Sequence, residues 1–473
     1  MAVRKLLALL MIVPLLALVA CSGGSGEPEG SESPATGDTP AAGESPGTDE
    51  TPDESPAPSP ASIPDTPVGK AGKWVIETLE ADSGPTADEV KKRFAPSFLQ
   101  QMPADQVPGV FDQLRGLRPF TVTQWNGTDT QAVARLSSDQ GQFEMQITVD
   151  GNNLIDAMLF IPAEEVPEVN SPEEAKKALE KRAPNNSFLL ADKECKPIEA
   201  NNQDSALPMG SMFKLYVLGA VISEVEKGKI GWDDQLTVTD EVKSLPSGKL
   251  QDEPAGTKVT VSEAAELMIS VSDNTATDML INHVGREAVE AELTAMGHHQ
   301  PEMLKPFTTT REIFQMAADP ELRKRWAETT GSPTDPHAET SDKQREILKG
   351  LPAWDRQYNP EAMSKPFWED SLEWYGTATD LCRAHQKLQE RAKTPAGEPV
   401  RDILSKNPGV QLDDADYVGF KGGSTPGSIG LSYWVERGDE VKVLMMQTTS
   451  DNPETTPAES WIAGLAQQVL ALG

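Results

Sequence analysis

Cationic and metal-binding side chains are scarce in this chain. Forty-two Lys and Arg stand against 74 Asp and Glu in 473 residues, a formal net charge of −32. So acidic a surface repels a phosphate backbone, which argues against nucleic acid as a partner. The five histidines (His283, His298, His299, His337, His385) make no metal-ligand spacing. His298 and His299 would point apart on any regular element, so no metal and no other cofactor is expected. There is no G-x-S-x-G elbow, P-loop or dinucleotide fingerprint. Cysteine is nearly absent. Of the three, Cys195 and Cys382 remain once Cys21 is set aside. They could pair outside the cytoplasm, and two buried free thiols fit as well.

The N-terminus carries Arg4 and Lys5, then an apolar run from Leu6 to Ala20. This is a signal-peptide pattern over 1–20. It ends in Leu18-Val19-Ala20-Cys21-Ser22, which resembles a bacterial lipobox. The resemblance implies cleavage before Cys21, lipidation of Cys21 and a membrane-anchored lipoprotein of the cell envelope. Acyl chains hold a protein to a membrane without crossing it. Residues 22–66 contain no Lys, Arg or aromatic residue and consist almost wholly of Ser, Gly, Pro, Thr, Ala, Asp and Glu. Such a stretch cannot bury a core, so 21–66 reads as a disordered acidic tether behind the lipidated cysteine.

Four segments result: 1–20, 21–66, 67–165 and 166–473, enough chain for two or three domains. In 67–165, runs 72–79 and 86–94 read as helices, and Thr86 with Glu89 makes a capping box. Runs 120–125, 131–136, 142–149 and 154–161 then read as strands, with Asn126-Gly127 and Asp150-Gly151 as turns. Helices followed by an antiparallel meander give a small α+β module. It resembles the cystatin-like or steroid-isomerase-like fold. It holds no convergent catalytic set, so binding or gating is the better expectation. Ser171 with Glu174 makes a second capping box, opening a helix to Arg182. Runs 187–191 and 197–200 form a hairpin.

The stretch Leu207-Pro-Met-Gly-Ser211-Met-Phe-Lys214, continuing to Ile222, predicts a helix apolar almost all round and therefore buried. Its run is too short to span a bilayer. Ser211 and Lys214, three apart, share one face. Desolvation lowers a lysine pKa, so a partly neutral Lys214 can take the Ser211 proton. A helix start offers free N–H groups to a developing oxyanion. Taken alone, the pair also fits a capping Ser and a snorkelling Lys. Ser272-Asp273-Asn274 follows at the end of a short amphipathic helix (261–270). Lys421-Gly422-Gly423-Ser424 precedes a two-strand hairpin, 428–435 and 440–447, turning at Arg437-Gly438-Asp439.

The three motifs in this order resemble the class A serine β-lactamases, members of the penicillin-recognising S-x-x-K hydrolases, over about residues 186–473. Among these the chain is most similar to lipoprotein members and to the β-lactamase-like proteins of clavulanic acid clusters. The resemblance implies an α+β fold: an antiparallel sheet flanked by helices plus an all-helical lobe. It implies acylation of Ser211 with Lys214 as its base partner, and a proton relay through Ser272. Asn274 would bind the substrate side-chain amide. Lys421 and Ser424 would hold its carboxylate. The N–H groups of Ser211 and Ser424 would form the oxyanion hole. A β-lactam or cell-wall-like small molecule is the expected substrate, and a monomer the expected state. An esterase, a cell-wall peptidase of the penicillin-binding type, and a non-catalytic envelope binding protein are the rivals.

Departures from the pattern bear on turnover. Gly422 stands where the family has a hydroxyl residue, and no Arg follows Lys421 until Arg437. Thr308-Thr309-Thr310 matches the Thr-rich stretch behind the omega loop, yet 296–307 lacks the Glu-x-x-Leu-Asn motif. Glu302 is the nearby carboxylate available as a weak water-activating base. Without such a base an acyl-enzyme forms but hydrolyses slowly. Trp326, Trp354, Trp368, Trp374, Tyr358 and Tyr375 read as packing for the extra length of 319–375. Helices are predicted over 377–388 and 459–470.

Overall fold

A computed structural model describes residues 61–329, 338–354 and 364–472. The signal-peptide and lipidation readings, Cys21 and most of the tether lie outside these residues. So do Tyr358 and most of the polar loop at 331–340.

The first apolar core is built from residues between Val68 and Phe160. Four helices enter it, α1 (Pro67–Glu80), α2 (Ala87–Arg93), α3 (Pro96–Gln101) and α4 (Val107–Arg115). The strands β1 (Thr121–Gly127), β2 (Gln131–Ser138), β3 (Gly141–Val149) and β4 (Ile155–Pro162) follow as an antiparallel meander in sequence order. Thr86 and Glu89 exchange both capping bonds at the start of α2, as the spacing predicts. Helices α3 and α4 are additions to the sequence reading, both entered through a proline near the first position.

The remaining chain builds a five-stranded antiparallel sheet with an apolar layer on each face. After α5 (Pro172–Arg182) come β5 (Asn185–Ala191), β6 (Pro197–Asn201) and β7 (Leu207–Pro208), then α6 (Lys214–Glu226). The short strands β8 (Gln235–Thr237) and β9 (Lys258–Thr260) pair with each other. A helical lobe continues through α7 (Val261–Ser270), α8 (Asn274–Val284), α9 (Arg286–Ala295), α10 (Thr310–Ala318), α11 (Pro320–Ala327) and α12 (Ala338–Lys349). β10 (Tyr375–Gly376), α13 (Ala378–Arg391) and α14 (Val400–Ser405) return the chain to the sheet. It closes with β11 (Tyr417–Thr425), β12 (Ser428–Arg437), β13 (Glu440–Thr449) and α15 (Glu459–Ala471). The main sheet runs β11-β12-β13-β5-β6, which leaves β11 at an edge.

On one face α5 and α15 pack with Phe188, Tyr433, Trp461 and Leu465. On the other lies the larger core of the helical lobe, centred on α6, where Leu215 to Ile222 are all buried. This is why α6 is apolar all round over that stretch: no face of Leu215 to Ile222 meets water. β12 alternates Ile429, Leu431, Tyr433 and Val435 with the small Ser428, Gly430 and Ser432, and it is covered on both faces: Ser428 to Val435 are all buried.

The capping box predicted at Ser171 forms only half. Ser171 accepts from Glu174 N, but the Glu174 carboxylate turns to Asn170 N at 2.8 Å. Cys195 and Cys382 are joined by a disulfide that ties the β5–β6 turn to α13, across 187 positions of chain. The two cores meet through Glu164. Its carboxylate pairs with Arg182 and its carbonyl accepts from Arg135 of β2. Among the described residues no helix is long and apolar enough to cross a membrane.

Candidate active site

Ser211 lies in a single 3-10 turn, Gly210–Phe213, that runs directly into α6 at Lys214. The sequence reading joined these into one helix. The tighter turn places residues three apart nearly in eclipse, so Ser211 and Lys214 rise side by side. Gly210 has φ +47°, a conformation that favours glycine. β7 ends just before the turn and is held by β10, with Tyr375 opposite Pro208. Trp374 stacks on Phe213 of the turn, ring centroids 3.9 Å apart.

Ser272 is brought opposite. It has φ +55°, an unusual conformation for a side-chain-bearing residue, and it is fixed from two sides. Its carbonyl accepts from Lys214 Nζ at 2.7 Å and from Ser247 Oγ at 2.8 Å. The Ser272 hydroxyl sits between two amines, 3.0 Å from Lys214 Nζ and 3.1 Å from Lys421 Nζ. Asn274 accepts from Lys214 Nζ at 2.7 Å through Oδ1 and donates to the Leu245 carbonyl at 2.7 Å. The middle residue of the triplet is a scaffold. Asp273 caps α8 through Ala276 N and accepts from Lys249 N and Leu250 N. So the triplet is both a helix cap and a cluster of side chains facing Lys214.

Lys421 comes from the edge strand β11, and its amine also donates to the Gly422 carbonyl at 2.6 Å. Ser424, two positions past Gly422, is exposed. The backbones of β11 and of the Ser211 turn touch. A Cβ on Gly423 would stand 2.5 Å from Ser211 N, and one on Gly210 would stand 2.7 Å from Ser424 N. Any residue but glycine would force these segments apart. At Gly422 a Cβ would meet the Phe420 ring at 3.0 Å and Leu431 at 3.3 Å, so the missing hydroxyl there goes with apolar packing.

Two buried lysines share one hydroxyl, and the electrostatic result follows. Burial, and then the neighbouring Lys421 charge, hold the Lys214 amine well below the usual lysine range. Burial brings Lys421 down to about 7. A neutral Lys214 amine has two N–H donors, enough for the Ser272 carbonyl and Asn274 Oδ1, and keeps a lone pair for a hydroxyl proton. The Ser211 hydroxyl makes no hydrogen bond of its own among the described residues.

Glu302 is not part of this group. Its side chain is 63% exposed and pairs with Lys305 within one turn. The carboxylates that do lie near are buried ones with no clear signal in the sequence. Asp278, one turn past Asn274 on α8, accepts from Thr310 N, Thr310 Oγ1 and Arg311 N, each at 2.8 Å. Burial raises it to about 7. Thr310 thereby docks under Asn274, donating also towards its carbonyl at 3.2 Å. Glu373, 6% exposed, lies against the Ser211 turn, and burial raises it to about 8. Among the described residues no carboxylate bonds to Ser211 or Lys214.

The histidine reading is corrected. His298 and His299 sit in an irregular turn, and their rings stack at 5.4 Å. With Asp380 their ligating atoms fall within 4.8 Å of one another. These atoms are already engaged: His298 binds the Tyr375 carbonyl and Gln300 N, and His299 binds Asp380. Of the aromatic group, Trp326 and Trp374 are buried in the lobe core, as packing predicts.

Residues 173–471 match the family described as the beta-lactamase enzyme family. The chain belongs to that family. Residues 63–155 match the family described as ORF 12 gene product N-terminal. Among curated relatives, the β-lactamase VEB-1 of Pseudomonas aeruginosa is 30% identical over 86 residues, 18% of this chain. The matched stretch spans 29% of that relative's length. Similar solved structures include a β-lactamase from Sphaerobacter thermophilus, 19% identical, covering 63% of this chain and 96% of that one with a TM-score of 0.43. An ancestral class A β-lactamase is 20% identical over 63% of this chain and 99% of its own, TM-score 0.43. PBP-A is 17% identical over 65% and 97%, TM-score 0.42. The match to the beta-lactamase enzyme family covers the five-stranded sheet and the helical lobe, and the four-strand meander lies ahead of it in the chain.

Proposed function

We propose that the chain is a serine hydrolase that forms an acyl-enzyme at Ser211 and releases it slowly. The observation that carries this reading is the buried pair of amines on one hydroxyl, Lys214 and Lys421 about Ser272. In the proposed cycle the neutral Lys214 amine takes the Ser211 proton as Oγ attacks a strained amide or ester carbonyl. The oxyanion that forms lies against the N–H groups of Ser211 and Ser424. Ser272 passes a proton to the leaving nitrogen or oxygen. Lys421, with Ser424, holds a substrate carboxylate. Asn274 binds the substrate side chain only if it gives up its bond to Leu245.

Slow release has its own support. Glu302 points to solvent, and no described carboxylate bonds to Lys214. Water attack on the acyl group therefore lacks a placed base. The reading also takes the chain to be a lipoprotein held at the cell envelope through Cys21, with a cystatin-like N-terminal unit and a monomeric state.

Intact-mass measurement on the purified chain with a penicillin and with nitrocefin tests the proposal. An adduct of one acyl group that persists for minutes is expected. Ser211→Ala should give none, and rates should fall by about 10^4 or more. An adduct that still forms on the variant would remove Ser211 from the chemistry. No adduct on the parent would remove β-lactams from the substrates.

A further inference from the structure

We infer that Glu373 is a positioning residue that clamps the two halves of the oxyanion site; this rests on the acyl-enzyme reading above. Its carboxylate accepts from Thr425 Oγ1 and from Trp374 N at 3.2 Å. The neighbouring Gly210 N–H favours its ionised form, though burial outweighs that. Gly210 immediately precedes Ser211, and Thr425 immediately follows Ser424. Glu373 therefore joins the two segments: its side chain holds Thr425 next to Ser424, and its chain neighbour Trp374 holds Met209 just before the Ser211 turn. Gly210 and Gly423 let those backbones touch. Contact alone does not fix the distance between two N–H groups, and a hydrogen-bonded link between their segments does. The rest of the frame is consistent: Met209 N donates to the Trp374 carbonyl at 2.7 Å, and Thr425 Oγ1 lies 2.9 Å from Ser428 Oγ.

The bonding is that of a carboxylate. Thr425 Oγ1 and Trp374 N both present hydrogens, and an ionised carboxyl group only accepts. Protonation removes the negative charge, so both bonds weaken. The titratable groups on the packed elements are Tyr375 on its own strand, Lys421 on β11 and Lys214 beyond the Ser211 turn. Tyr375 is itself pushed above the normal phenol range by burial first and then by Glu373. Burial raises Glu373 to about 8, so the clamp tightens as pH rises through that value.

Acylation by a neutral ester, p-nitrophenyl acetate, isolates the effect, because Lys421 then has no carboxylate to hold. The parent rate of acylation should rise through about pH 8, on top of the separate rise that Lys214 causes. Glu373→Gln should acylate about tenfold more slowly and lose the rise near 8 while keeping that of Lys214. Its KM should change by less than about twofold, because the oxyanion contacts form only in the transition state. A variant with the parent's rate and the parent's pH profile would overturn the clamp and leave the acyl-enzyme reading intact. A parent that never acylates would overturn both. If Glu373→Gln does not fold, Thr425→Val removes one arm alone. A several-fold slower rate supports the clamp, and the parent's rate overturns it.

Discussion

Ser272 shows what a single residue's surroundings can impose. Its hydroxyl is shared by Lys214 and Lys421, both fully or almost fully buried. Burial in a dry site holds both amines low, and for Lys214 the nearby Lys421 charge adds to it. Lys421 loses its charge as pH rises through about 7. A substrate carboxylate is attracted below that value and not above it. At pH 8 roughly a tenth of the free protein would carry the charge, so KM for a penicillin should rise by about tenfold between pH 6 and pH 8. Steady-state or pre-steady acylation across that range checks this, and a neutral ester should show no such rise in KM. A penicillin KM independent of pH would remove Lys421 from carboxylate binding. S-x-x-K, S-D-N and K-G-G were readable because each needs fixed residue types at fixed spacing. Glu373 was not, because its role depends on Thr425 and on the turn that begins after Met209, which lie far from it in sequence.

Whole elements are joined at the site by capping groups. Asp273 caps α8 and holds the loop at Lys249 and Leu250. One turn on, Asp278 reaches across to the start of α10 with three bonds. Removing that carboxylate leaves buried donors without a partner. Asp278→Ala should cost about 2–4 kcal/mol of stability, read as a lower urea midpoint. A midpoint equal to the parent's would show that water replaces the carboxylate. The elements themselves were largely legible. The four-strand meander, the C-terminal hairpin β12–β13 and the last two long helices follow from period-2 and period-3.6 patterns and turn residues, whereas β11 is an addition. The misreadings have local causes. A 3-10 turn carries the same apolar pattern as the helix it opens, so Ser211 was placed inside α6. Glu174 met a nearer N–H, and the second capping box closed on one side only.

At the scale of the molecule, one covalent link closes a long loop within the larger unit. The Cys195–Cys382 disulfide spans 187 positions, so it restricts the unfolded chain strongly. Cys382→Ser should lower stability by about 2–4 kcal/mol, with a matching fall in Tm. A Tm unchanged on reduction would mean the bond is not formed in solution. The envelope reading has its own check. Cys21→Ser should move the chain from the membrane fraction to the soluble one, and retention in the membrane would sink the lipid anchor.

The sequence by itself determined the acidic balance, the order of the three motifs, the two types of folding unit and most helices and strands. These depend on local composition and periodicity, which a linear chain displays. Only the tertiary structure decided that Cys195 pairs with Cys382, that His298 and His299 stack, and that Glu302 faces solvent while Glu373 lies against the Ser211 turn. Each depends on which distant segments share a neighbourhood, and in a close-packed interior that is set by the fit of whole elements.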